Sequence, residues 1–168
     1  TMILADQGAD VIKVEMPGRG DYVRSAGNSG QGLSGAFLNN NRNKRSITID
    51  LKTERGKEIV FKLAQDADVF VQNFRPGVAE RIGIGESELR ASAPDIIYVS
   101  ISGFGGKGPY AEKPAYDPII QALSGLTSVQ GGGDGERPRL VRTILPDKLT
   151  AFTAAQAITA ALLARANT

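Results

Sequence analysis

The sequence predicts an α/β fold built on a parallel sheet. Two observations carry that prediction. Short β-branched or alternating runs recur at Ala9–Glu15, Ser46–Leu51, Asp68–Phe74 and Ile96–Phe104. Between them lie stretches with helical periodicity, and strands alternating with helices at this spacing imply right-handed crossovers with helices on both faces. The architecture is Rossmann-like but lacks the dinucleotide fingerprint, because no G-x-G-x-x-G follows a strand.

The elements follow in order. "TMILADQG" reads as the last turns of a helix with Gly8 as its cap. "ADVIKVE" alternates apolar and polar and ends at the Pro17-Gly18 turn. Arg19–Gly35 is polar and Gly-rich with no period, and reads as loop. After "NNNRNKR" comes the strand "SITIDL"; Thr53 then caps a helix whose Ile59, Leu63 and Ala67 form its apolar stripe. "DVFVQNF" is a strand stopped by Arg75-Pro76-Gly77, and short helices follow at about Val78–Ile82 and Glu86–Ala93. "IIYVSISGF" is nearly continuous apolar, as a buried parallel strand should be. A helix is expected at about Asp117–Ser124, a loop over "VQGGGDGERPRL", and a terminal helix from Asp147.

Composition narrows the function classes. The 168 residues are 41% hydrophobic and 23% charged, which suits one domain with a core. A net charge of +2 gives no reason to expect nucleic acid. Asp, Lys, Thr and Gln interrupt every apolar run short of the ~18–20 residues of a membrane span. Asp6 and Asp10 stand where a signal peptide would be apolar, so a cytoplasmic protein is expected. The chain has no Cys and no His. Thiol nucleophiles, Cys or His metal sites and every histidine acid–base mechanism therefore drop out. No metal is expected, and covalent chemistry would fall to carboxylates, Lys, Tyr, Ser or Thr.

In sheets of this kind ligands bind beyond the carboxyl ends of strands, where Glu15, Asn73-Phe74 and Gly103-Phe104 stand. Asp147 heads the alanine-rich run "LPDKLTAFTAAQAITAALLAR". It reads either as the N-cap of that helix or as a nucleophile held at the mouth of a site.

Five ordered segments bear a specific likeness. "ADQGADVIKVEMPGRGD", "FLNNNRNKRSITIDLKTERGKEI", "ADVFVQNFRPGVAERIGI", "IIYVSISGFGGKGPYAEKPAYDPIIQALSG" and "PDKLTAFTAAQAITAALLAR" together resemble the class III coenzyme A transferases. These CaiB/BaiF-type proteins are relatives of formyl-CoA transferase and carnitine CoA-transferase. The resemblance implies that residues 1–168 are a partial large, CoA-binding domain, with the N-terminal strand and the small domain absent. It implies transfer of CoA between an acyl-CoA thioester and a carboxylic acid acceptor through an aspartyl intermediate at Asp147. CoA is then a substrate, and no cofactor is permanently bound.

The same resemblance places Asn73 and Phe74 along the adenine and pantetheine path. It puts Arg81 near the CoA phosphates, Leu51 and Lys52 at the adenine end, and Tyr116 in the active-site segment. Each has a plainer reading: Asn73 as the cap of a Pro-Gly turn, Phe74 as core, Arg81 and Lys52 as solvated surface, Tyr116 as a half-buried tyrosine with a satisfied hydroxyl. The racemase branch uses a His–Asp pair whose His falls at Tyr116-Asp117, so racemisation is disfavoured in a chain without His. Met16 replaces a basic residue that some members use for CoA. The family resembles interlocked homodimers; these residues alone are expected to be inactive and self-associated. A non-catalytic CoA- or nucleotide-binding α/β fragment is the alternative.

Overall fold

The computed structural model describes residues 1–26 and 33–168. Part of the Arg19–Gly35 loop expectation, residues 27–32, lies outside the described residues. In chain order the elements are α1 (Met2–Asp6), β1 (Val11–Glu15), α2 (Gly35–Asn41), β2 (Lys44–Thr48), α3 (Glu54–Gln65), β3 (Val69–Gln72), α4 (Val78–Arg81), α5 (Glu86–Ser92), β4 (Ile97–Ser100), α6 (Asp117–Leu123), α7 (Leu126–Gly131) and α8 (Leu145–Ala166). They form two compact units, Thr1–Asp68 with Ile82–Ile96, and Val69–Arg81 with Ile97–Thr168. Each unit holds one parallel strand pair, β1 with β2 and β3 with β4.

In the first unit, β1 pairs in register with β2 from Val11↔Lys44 to Glu15↔Thr48. The second strand therefore starts two residues earlier than "SITIDL" suggested. Its two leading cations are held at the strand edge, Arg45 by Asp10 at 2.9 Å and Lys44 by the Asn41 side chain at 2.9 Å. Gly8 turns the chain out of α1 at φ +100°, in line with its expected role. Helix α2 follows the expected Arg19–Gly35 loop, sharing only Gly35 with it, and its Gly- and Asn-rich composition hides it in the sequence. Ser34 Oγ accepts from the Phe37 N–H at 3.0 Å, and Phe37 is buried with the Arg24 guanidinium 4.1 Å above its ring. A cap and one buried aromatic outweigh poor propensity here.

Thr53 caps α3 as expected, accepting from the Gly56 N–H at 3.0 Å. The buried stripe, however, is Gly56, Val60 and Ala64, one register step from the predicted one. Ile59 and Leu63 flank it half-buried, and Ala67 lies exposed beyond the helix end. Helix α5 packs on α3 with Leu89 fully buried.

In the second unit β3 pairs with β4 from Val69↔Ile97 to Gln72↔Ser100. The fourth strand is half-buried with Ser100 exposed, so its apolar run is less enclosed than its sequence implied. Helix α7 replaces the first part of the expected loop. Gly125 starts it at φ +79°, and the returning Arg139 N–H bonds to Thr127 O at 2.9 Å. Helix α8 packs against α6 and β4 and buries only Ala155 and Ile158 along 22 residues. Leu149, Phe152 and Leu163 are all more than half exposed. Its mean hydropathy of 1.3 over a membrane-length window qualifies it, by length and composition alone, to cross a membrane. That corrects the sequence argument from interrupting polar residues: a few Thr and Gln in an Ala- and Leu-rich helix do not lower its average enough.

Candidate functional site

The second unit brings together the N-terminal ends of α6 and α8. Ser100 closes β4, and the chain continues through Gly103 to the start of α6. A Cβ at Gly103 would stand 2.1 Å from the Ala115 Cβ, so glycine is what lets this loop lie against the residues just before α6. Tyr116 is the N-cap residue of α6, Asp117 its first residue and Pro118 its second, a position proline suits. Asp117 and Gln121 lie one turn apart and are both buried, at 6% and 2% exposure.

Gln121 uses both ends of its amide. Its Nε2 donates to Asp117 Oδ1 at 2.6 Å and to Thr143 O at 3.1 Å, and its Oε1 accepts from the Val141 N–H at 2.9 Å. The other Asp117 oxygen accepts from the Asp147 N–H at 3.2 Å. Asp147 is not the N-cap of α8. That position is Ile144, which has no capping side chain; Leu145 and Pro146 follow, and Asp147 is third in the helix. The plain capping reading therefore fails, and a neighbouring helix does the capping instead.

The Asp147 side chain stands exposed in the first helical turn. Partial burial of its carboxyl, and then the Asp117 charge, push its pKa above the ordinary aspartate value, while Lys148 opposes the shift. A carboxylate at this end of a helix also meets the positive end of the backbone dipole.

The structure places the other predicted residues as follows. Asn73 and Phe74 directly follow β3, both exposed, Phe74 at 37%. Phe74 is thus not core. The turn after β3 is tied by Gln72, whose side chain accepts from the Phe74 N–H at 2.7 Å and donates to Ser100 Oγ at 2.8 Å. Asn73 was expected as a possible cap of that turn, and its neighbour does the work. Arg81 ends α4, exposed. Tyr116 is 65% exposed, not half-buried. Leu51 and Lys52 belong to the first unit, in the turn between β2 and α3, with Leu51 half-buried and Lys52 exposed. Met16 is exposed at 55%.

Asp117 and Gln121 were missed as functional candidates. The signal was present, a carboxylate and an amide four apart in a short helix, but only burial shows that they face the next helix. Among the described residues no group of three or more Asp, Glu, Cys or His could hold a metal ion.

Glu15, at the carboxyl end of β1, is already committed to its own chain. It accepts from Arg24 Nε and Nη2, both at 2.8 Å, from Ser46 Oγ at 2.7 Å and from the Asp21 N–H at 2.9 Å. These contacts, the Arg24 guanidinium first, hold its carboxyl at about 2. Nearby, burial draws the Lys44 amine down to about 8.

Comparison with known proteins adds the family. The family described as CoA-transferase family III matches residues 1–168. A probable fatty acyl-CoA transferase of Mycobacterium tuberculosis is 40% identical over 166 residues, 97% of this chain and 42% of that protein. The succinyl-CoA:glutarate CoA-transferase of Mus musculus is 44% identical over 171 residues, spanning 100% of this chain and 38% of its own. The acetyl-CoA:oxalate CoA-transferase of Acetobacter aceti is 43% identical, with 43% of its length covered. A crystal structure of a CAIB/BAIF family protein from Brucella suis superposes with a TM-score of 0.90 at 42% identity, covering 99% of this chain and 45% of that one. The chain thus spans about two-fifths of the length of the curated relatives it matches.

Proposed function

The chain belongs to CoA-transferase family III, and from that premise we propose that it supplies the nucleophile and part of the CoA site of an enzyme moving CoA from an acyl-CoA thioester to a carboxylic acid. The observation that carries the reading is Asp147 itself: a carboxylate exposed in the first turn of α8, left free by Asp117 and Gln121 to do something other than cap its helix.

The chemistry runs in balanced steps. An Asp147 oxygen attacks the thioester carbonyl, the C–S bond breaks, and a mixed anhydride and the CoA thiolate result. The thiolate then attacks the aspartyl carbonyl of the anhydride, releasing the donor acid as its carboxylate and leaving an aspartyl-CoA thioester. The acceptor carboxylate attacks that thioester and the two steps run in reverse. The upward pull on the Asp147 pKa makes the carboxylate a stronger nucleophile than an ordinary surface aspartate, and the helix terminus favours its anionic form.

Asn73, Phe74, Arg81 and Tyr116, all in the second unit, are proposed to bind CoA, and Leu51 and Lys52 of the first unit are proposed as CoA contacts on the family's sequence pattern alone. An exposed aromatic offers a wall to adenine or pantetheine, and Arg and Lys suit the phosphates. The relatives' named acceptors, glutarate and oxalate, are dicarboxylates, so a small dicarboxylic acid is the first acceptor to screen. The exposed apolar side chains of α8 support association as a homodimer. Racemisation gains no support: Asp117, which stands where that chemistry needs a base, has both oxygens committed to Gln121 and α8.

The test is trapping. Incubating the whole protein with acyl-CoA and then hydroxylamine should mark Asp147 by mass spectrometry, and Asp147→Ala should abolish transfer. A labelled peptide elsewhere, with Asp147 unmodified, overturns the assignment.

A further inference from the structure

Helix α8 begins without the usual means. Ile144 at its N-cap offers no side-chain acceptor and Pro146 has no N–H, while the first intrahelical bond runs from the Lys148 N–H to Ile144 O at 3.1 Å. The Asp147 N–H is left to find a partner outside its own helix, since the first turn of any helix leaves its donors orphaned. It finds Asp117 Oδ2 at 3.2 Å. Asp117 in turn is held by Gln121, and Gln121 grips both the N–H of Val141 and the carbonyl of Thr143, in the segment that leads into α8. Two buried side chains from α6 therefore fix the approach to α8 and its first turn.

We propose that Gln121, acting through Asp117, is a positioning residue for the Asp147 carboxylate: the buried amide–carboxylate pair is a cross-helix latch that sets where the nucleophile stands. The inference rests on the reading of Asp147 as the nucleophile. The physical case is that both latch residues are nearly inaccessible, at 6% and 2% exposure, so their polar atoms have no water to fall back on. Every polar atom of the pair is instead spent on α6, on the 141–143 segment or on α8. A side chain in the third residue of a helix moves with that helix's first turn, and a displacement of about 1 Å at a reacting group is enough to cost ~100-fold in rate.

The test uses Gln121→Met, which keeps the volume and removes the hydrogen bonds, and Asp117→Asn, which keeps the shape of the side chain but turns one of its two accepting oxygens into a donor. Hydrogen exchange on the whole protein is read first. Gln121→Met should lose protection in the peptide spanning 141–148 and keep it in α3. Transfer is read next with succinyl-CoA and glutarate, and with acetyl-CoA and oxalate. Gln121→Met and Asp117→Asn should each lower kcat by about 10–100-fold with KM for the thioester within about twofold. Unchanged exchange, or lost protection with an unchanged kcat, overturns the latch. So does an Asp117→Asn variant that transfers at the wild-type kcat, and this arm remains decisive if Gln121→Met fails to fold. The nucleophile reading fails separately, by an active Asp147→Ala variant or an adduct elsewhere.

Discussion

Replacing Glu15 by Gln removes the charge from the most heavily bonded carboxylate of the first unit. Both of its oxygens accept two hydrogen bonds, from Arg24, Ser46 and the Asp21 backbone, and its side chain is 3% exposed. The drop in its pKa from the ordinary 4.5 to about 2 corresponds to about 3 kcal/mol at ~1.4 kcal/mol per unit. Arg24 is 32% exposed and regains solvent when its partner is lost, which lowers the expected cost to about 2 kcal/mol. The sign follows from the direction of the shift. A depressed carboxylate contributes stability that is fully present above 4.5 and is lost as pH falls towards 2. Urea unfolding of wild type and Glu15→Gln should therefore differ by about 2 kcal/mol near pH 7. The gap should hold down to about pH 5, narrow below 4.5 and close near 2. A gap of the same size at every pH would refute the reasoning, because it would show that the loss lies in shape rather than charge.

Asp147→Asn should behave in the opposite sense. Its pKa is raised by partial burial and by Asp117, so ionisation costs folded-state stability as pH rises through the ordinary aspartate value. The Asn variant should unfold at a slightly higher temperature at pH 7, by a small margin because the group is exposed, and the difference should vanish in acid. Gly103→Ala forces a Cβ to 2.1 Å from the Ala115 Cβ; it should lower Tm by the equivalent of about 1–3 kcal/mol and slow transfer, and an unchanged Tm would refute the close packing. Arg81→Ala and Lys52→Ala should each weaken CoA binding by about 1–3 kcal/mol, raising KM with kcat unchanged, as isothermal titration and steady-state kinetics would show. A loss in kcat alone would place them elsewhere in the mechanism.

The sequence by itself determined the class of fold and singled out Asp147 as the candidate nucleophile. Alternating and β-branched runs marked the four strands found among the described residues, because side-chain period and branching act on the backbone locally. Thr53 as a cap and Gly8 as a helix stop were equally readable, for each works within one turn of chain. Asp147 was visible as a lone carboxylate before a long apolar helix, and the ordered segments around it tied that position to a family. What only the tertiary structure decided is how that carboxylate is held. The capping assignment went to Asp117, thirty residues upstream, because two helices meet there and the orphaned Asp147 N–H donates to the carboxylate that packing supplies. Helix α2 escaped a composition-based reading for the same reason, since its stability rests on Phe37 under Arg24 and on Ser34. So did the true stripe of α3, which is set by what packs against it rather than by which residues are largest. Local chemistry chooses the element; burial chooses its partners.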